Sequence, residues 1–173
     1  AIVKFQKLQN QTIRVTGSAS QNVTSDKAAW SIQVRALRPT LKEGYAKLNE
    51  DTKKTVEFLK SNDINKLTDV SKKVSELVDR DINLSSENVE YFVSNLDDIK
   101  IKMVGEASKN AKERAESMIS GTNGKIGVMT GAKMGVFQIV PVDSTEVNDY
   151  GINDTSSIEK KVVATVSATF TVK

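Results

Sequence analysis

The stretch from Asn95 to Gly121 reads as one long helix whose buried face is built from small side chains. Leu96, Met103, Ala107, Ala111, Ala115 and Met118 recur at the spacing that keeps residues on one side of a 3.6-residue helix. Three alanines one turn apart make a flat strip, so the helix axis can come close to a sheet or to a second helix. The opposite side carries Lys102, Glu106, Lys109, Lys112, Glu113 and Glu116, with Lys109/Glu113 and Lys112/Glu116 spaced to pair across one turn. Asn95 is the expected N-cap, Asp97 and Asp98 face the positive end of the dipole, and Gly121 is the expected terminator.

A chain of 173 residues has room for one domain with a proper core, or for two small lobes sharing one. Its net charge of +3 comes from 25 basic and 22 acidic residues that are interspersed, so there is no one-sided surface for nucleic acid. Histidine and cysteine are both absent, which excludes Ser-His and Cys-His catalysis, His or Cys metal sites, disulfides and thiol redox chemistry. An enzyme of this composition would have to work with carboxylates, lysines, hydroxyls and tyrosines. No segment approaches the ~20 apolar residues that span a bilayer. The chain starts at Ala1, and a signal or anchor segment upstream of it is expected.

In order, residues 1–10 read as a lead-in and 11–173 as a single α+β domain, with two sublobes allowed. Thr12–Gly17 is a strand signal and Ser18–Asp26 is turn-like. Ala28, Trp30, Ile32, Val34 and Ala36 alternate with polar residues as a second strand, expected to form a hairpin with the first. Arg38-Pro39 stops it, and Thr40 with Glu43 forms a capping box. The next helix is expected to bury Leu41, Tyr45, Leu48, Thr52, Val56 and Leu59. A further helical pattern starts near Thr68, with Val70, Val74, Leu77, Val78 and Ile82 as its stripe. Asn83–Asn88 is a polar turn, and Val89, Tyr91 and Val93 form a short strand. Beyond the long helix, 126–140 reads as one or two strands bent at Gly127, Gly131 and Gly135. Pro141–Ser157 is an acidic loop expected to be mobile, and Ile158 to Val172 is the cleanest strand, apolar on one face and hydroxyl-rich on the other. The expected fold class is α+β, a largely antiparallel sheet with about three helices packed on one face.

Several segments together resemble the SIMPL-domain family, a domain of unknown function. They are Ile13-Arg-Val-Thr-Gly17-Ser-Ala-Ser, Asp26-Lys-Ala-Ala-Trp30-Ser-Ile-Gln-Val34, Ala46-Lys-Leu-Asn49, the Asn110-Ala-Lys-Glu-Arg-Ala-Glu116 core, Gly124-Lys-Ile-Gly127-Val and the closing strand from Val163 to Val172. The resemblance implies an extracytoplasmic protein, periplasmic or tethered outside the membrane. Relatives include periplasmic antigens that assemble into large ring- or channel-like oligomers, proteins linked to oxidative-stress tolerance, and a eukaryotic member in kinase signalling. The family has no established catalytic residues, so none is carried over. Family members place an extra strand or strand pair where Asp63-Ile64-Asn65-Lys66 joins two helices here. A segment missing between Asn62 and Thr68 is therefore hypothesised, and unbroken Cα spacing of ~3.8 Å across it would refute this.

Weighed singly, the candidate sites are weak. Gly121-Thr-Asn-Gly124-Lys125 resembles a phosphate loop only superficially, because it follows a helix and lacks a Ser or Thr after the lysine. Asp143, Glu146, Asp149 and Asp154, with Asn148 and Asn153, could supply oxygens to calcium, but their spacing matches no EF-hand. Asp97-Asp98 points in two directions on a helix and is better read as dipole compensation. Trp30 reads as core, and Asn10, Asn22, Asn83 and Asn153 begin N-x-Ser/Thr triplets. No catalytic, cofactor or metal residue is assigned. The expected function is a non-enzymatic envelope module that self-associates as a homo-oligomer or joins an envelope partner, without nucleic acid and touching the membrane only through a segment upstream of Ala1. The alternative is a ligand- or metal-binding module using the 141–157 loop.

Overall fold

The computed structural model describes residues 11–62 and 66–173. The expected lead-in over 1–10 lies outside them, as do residues 63–65, where the hypothesised segment near 62–68 would fall. The α+β class holds, and the chain forms two compact units, residues 11–25 with Val93–Lys173, and Asp26–Phe92.

The first unit is one sheet and one helix. Strand β1 (Thr12–Thr24) runs antiparallel to β9 (Glu159–Val172) along its whole length. On its other side β9 pairs antiparallel with β6 (Ile126–Met134) and with β7 (Gln138–Pro141), and β8 (Ile152–Asn153) lies parallel to β7. The last strand is thus central, as its long regular alternation suggested. The sequence expectation ended β1 at Gly17 because Ser18, Ser20 and Asn22 look turn-like. In the sheet they form its solvated face, and Gly17, Ala19 and Val23 continue the inward one. The expected hairpin does not form: β1's partner is β9, at the far end of the chain.

Helix α4 (Leu96–Ile119) packs on β1 and β9 through Ile99, Met103, Ala107, Ala111 and Ala115, all buried. The alanine strip lies at the closest approach. A Cβ on Gly17 would stand 2.2 Å from the Ala107 carbonyl oxygen and 2.3 Å from the Ala111 nitrogen. Only a residue without a side chain fits there. Of the ends of the expected helix stripe, Leu96 is half-buried against the core and is joined there by Ile99, whereas Met118 is 65% exposed. Asn95 makes no side-chain cap, because φ −100° and ψ 28° lie outside the extended region that turns an N-cap side chain back onto the helix. The helix stops at Ser120 with the Ser120 and Thr122 hydroxyls donating to Ser117 and Ile119 carbonyls, so Gly121 is not its terminator. Lys112 and Glu116 pair at 3.7 Å, whereas Lys109 and Glu113 form no ion pair.

The second unit has helices α1 (Leu41–Ser61), α2 (Leu67–Lys72) and α3 (Ser75–Val78). Two short antiparallel pairs join them, β2 (Lys27–Ala29) with β5 (Glu90–Phe92), and β3 (Ile32–Val34) with β4 (Leu84–Ser86). The expected strand over 28–36 is therefore two strands, and the polar turn over 83–88 contains one. Phe58, Val70, Val74, Leu77 and Ile82 are its buried core, with Trp30 packed against it and its indole N–H donating to the Glu87 carbonyl at 3.0 Å. The capping box at Thr40 and Glu43 forms as expected. The expected buried stripe of α1 holds only in part: Leu48 and Leu59 are half-buried, Leu59 against the core, whereas Leu41, Tyr45, Thr52 and Val56 are exposed and Asp51, Thr55 and Phe58 are the buried residues. Apolar periodicity alone did not pick the buried face in full. Asp81 has φ 62°, and the Asp81 and Ile82 N–H groups donate to the Val78 and Leu77 carbonyls, a Schellman closure of α3.

Candidate functional site

The expected metal ligands do not converge. Asp143, Glu146 and Asp149 are exposed, and no group of three or more acidic side chains able to hold a metal ion occurs among the described residues. Asn148 and Asn153 are used structurally. The Asn148 carboxamide oxygen accepts from the Tyr150 N–H at 2.8 Å, and Asn153 lies in β8 beside Ile139. Asp97 and Asp98 are exposed in the first turn of α4, Gly121–Lys125 forms a turn, and Asn22 and Asn83 are exposed. Asn10 lies outside the described residues.

What the 141–157 segment has is anchorage. Lys161 Nζ donates to the Ser144 carbonyl at 2.7 Å on the sheet face turned away from α4. Gln138, buried on that same face, donates its amide N–H to the Asn148 carbonyl at 2.7 Å and accepts the Asn148 N–H at 3.3 Å. The chain turns at Gly151, whose φ of +86° is the glycine-favoured left-handed region. It then pairs as β8 and returns on the helix side. There Lys160 Nζ donates to the Asp154 carbonyl at 2.6 Å and lies 3.5 Å from Asp154 Oδ2. Lys160 is 2% exposed. Lys160 and Lys161 are neighbours in sequence, so strand periodicity sends them to opposite faces, where they hold the two ends of one loop.

Burial would raise the Asp154 carboxyl. The Ser156 hydroxyl and N–H, the Ser157 hydroxyl and the Lys160 ammonium outweigh it and hold the group at about 2. In α1, Asp51 is 1% exposed, with Lys47 Nζ 2.8 Å from Oδ1 as its ion-pair partner and no hydrogen-bond donor on Oδ2 among the described residues. Sequence reading missed both buried charges. For Lys160 the signal was present: period two back from Val162 demands an inward residue at 160, and that residue is a lysine.

The two long borders of the sheet differ. On β1, the Ser18 N–H donates to Asn110 Oδ1 at 3.1 Å, and Arg114 Nη1 donates to the Thr16 carbonyl at 3.1 Å. These two residues of α4 sit one turn apart in the Asn110–Glu116 core and occupy one outward N–H and one outward carbonyl at the middle of that border. Among the described residues strand β6 has no such cover and pairs only with β9, and residues 128–134 are exposed on both faces, Val128, Met129 and Met134 among them. Its apolar residues are interrupted by Gly131, and its ladder with β9 shifts register twice between Ile126 and Gly131, the bulged strand expected from the glycines.

Beside β6, on the sheet face turned away from α4, lies a cleft of ≈ 430 Å³ between the end of β6 and the loop at Val147–Asp149. Val163 and Thr165 of β9 form part of its lining. No curated protein matches the chain. The stretches quoted after Asn49 from the helix and the closing strand lie beyond the matched residues of the family comparison. The resemblance to the SIMPL family holds over residues 13–72, which match that family's model, described as a protein of unknown function (DUF541).

Proposed function

We propose that the chain is an extracytoplasmic, non-enzymatic interaction module that associates with further copies of itself through the border of β6. The observation that carries this reading is the contrast between the two sheet borders. Asn110 and Arg114 bond the Ser18 N–H and the Thr16 carbonyl at the middle of β1, while among the described residues no side chain of α4 does the same for β6, which lies beside exposed Val128, Met129 and Met134. A long, exposed apolar strand border recruits another strand, and proteins that stay monomeric cover or charge it. Lys133 is the single charge on β6. The setting outside the cytoplasm, and a role in stress tolerance, extend what the SIMPL resemblance implies.

The test is solution molar mass by light scattering over a hundredfold concentration range. A stable multiple of the 18.9 kDa protomer is expected. Met129→Lys with Met134→Lys should return it to a monomer with an unchanged circular dichroism spectrum. A wild-type monomer at every concentration would refute self-association.

A further inference from the structure

The cleft beside Val147–Asp149 is held open by a buried side chain and a close backbone approach. Gln138 fixes the overhanging loop from below through both of its amide atoms. The loop wall therefore stands on a buried side chain and on the Lys161–Ser144 bond. On the opposite wall Gly135 approaches β9 so closely that a Cβ there would fall 2.2 Å from Thr165 Oγ1. The missing side chain leaves the Thr165 hydroxyl open at the floor. Val136 and Val147, both exposed, add apolar surface together with Val163.

Two full charges stand on opposite walls. Lys133 lies on β6 and Asp149 on the loop, and neither makes an ion pair or side-chain hydrogen bond among the described residues. Elsewhere in the unit the cations near this loop are used up: Lys160 by Asp154 and Lys161 by Ser144. A volume of ≈ 430 Å³ is within the range of small-molecule sites.

The geometry points to a binding site for a small zwitterion with an apolar body, a free α-amino acid, its carboxylate facing Lys133 and its ammonium facing Asp149. The apolar side chain then rests on Val136, Val147 and Val163, and the Thr165 hydroxyl is placed to bond either polar end. A ligand with only one charged end leaves one wall charge facing apolar substance, which is unfavourable. This site stands whether or not the chain self-associates.

The experiment is titration of the isotope-labelled full chain, followed by amide NMR shifts, with three probes: leucine, 4-methylpentanoate, which lacks its amine, and 3-methylbutylamine, which lacks its carboxylate. Saturable shifts centred on residues 133–138 and 147–149 are expected with leucine only. Lys133→Gln and Asp149→Asn should each weaken leucine binding about tenfold or more, the loss expected on removing one charged hydrogen-bond partner. Both residues are exposed, so the variants should keep the wild-type spectrum elsewhere. Absence of saturable leucine shifts, equal binding of either half-ligand, or variants that bind as wild type would each overturn the site.

Discussion

Gly17→Ala is the sharpest test of how the helix and sheet are joined. The added methyl would lie 2.2 Å from the Ala107 carbonyl oxygen, 2.3 Å from the Ala111 nitrogen and 2.7 Å from the Ala111 Cα. All three are backbone atoms, so no side-chain rotation relieves the clash. Ordinary contact requires α4 to withdraw by about 1 Å, a gap that forfeits a quarter to a half of each dispersion contact along the strip. The same withdrawal lengthens the Asn110 and Arg114 bonds to β1, which are already 3.1 Å. Overpacking of this kind costs about 1–3 kcal/mol, and weakening two hydrogen bonds adds about 1 kcal/mol. Exchange of glycine for alanine in a strand returns about 0.5–1 kcal/mol. A net loss of about 1–3.5 kcal/mol follows. Native-state hydrogen exchange at β9 amides should accelerate about 5- to 300-fold, since each 1.4 kcal/mol is a factor of ten. The readout must come from β9, because Trp30 belongs to the other unit and its fluorescence reports a different core. Gly131→Ala, where a Cβ meets nothing within 4 Å, is the control and should change exchange little. Equal rates in Gly17→Ala and wild type would refute the close-approach argument.

Other outcomes follow from the charges and the turns. Asp154 has its pKa lowered from 3.8 to about 2, so its contribution to stability is complete above pH 4 and lost as pH falls through 2, at most about 2 kcal/mol. Acid unfolding of Asp154→Asn should therefore lose part of the wild-type pH dependence between pH 4 and 2, and an unchanged profile would count against the anchored loop. Lys47→Met leaves the Asp51 carboxylate buried without its cation and should lower stability by about 3 kcal/mol, whereas adding Asp51→Leu should recover most of the loss, measured by urea midpoint. Asp81→Gly removes a side chain from a left-handed position and should raise the thermal midpoint by an amount equivalent to about 0.5–1 kcal/mol; a lower midpoint would show that the aspartate is making a bond worth more than the strain.

The parts of the fold that could be read in sequence are those where one physical rule dominates. The alanines of α4, the alternation of β9, the capping box at Thr40 and the glycine-bent β6 each follow from periodicity or local chemistry, and each is present. Failure came where two rules compete. In β1 the solvated face of an outer strand has the composition of a turn, and only pairing with a strand some 140 residues away settles the matter. In α1 much of the apolar stripe is exposed because the core takes Phe58, and the helix also buries Asp51 with Lys47 as its ion-pair partner. The acidic residues of 141–157 suggested a cation site by count, but calcium needs convergence and three of them face solvent. The cleft was not legible at all. It depends on Gln138 reaching ten positions along the chain, and no periodic pattern records that bond.

The paired lysines of β9 have a consequence for how the strand finds its place. Val162, Ala164, Val166 and Ala168 repeat so evenly that sliding the strand by two residues would still turn small apolar side chains inward. Hydrophobic alternation fixes the face and leaves the offset nearly degenerate. Lys160 and Lys161 remove that degeneracy. With the strand displaced by two one way, Val162 and Val163 would stand where Asp154 needs a cation and the Ser144 carbonyl needs a donor; displaced the other way, Ile158 and Glu159 would stand there. The loop is thus a latch that closes at one alignment of the central strand, and every other pairing in the sheet inherits its offset from that closure.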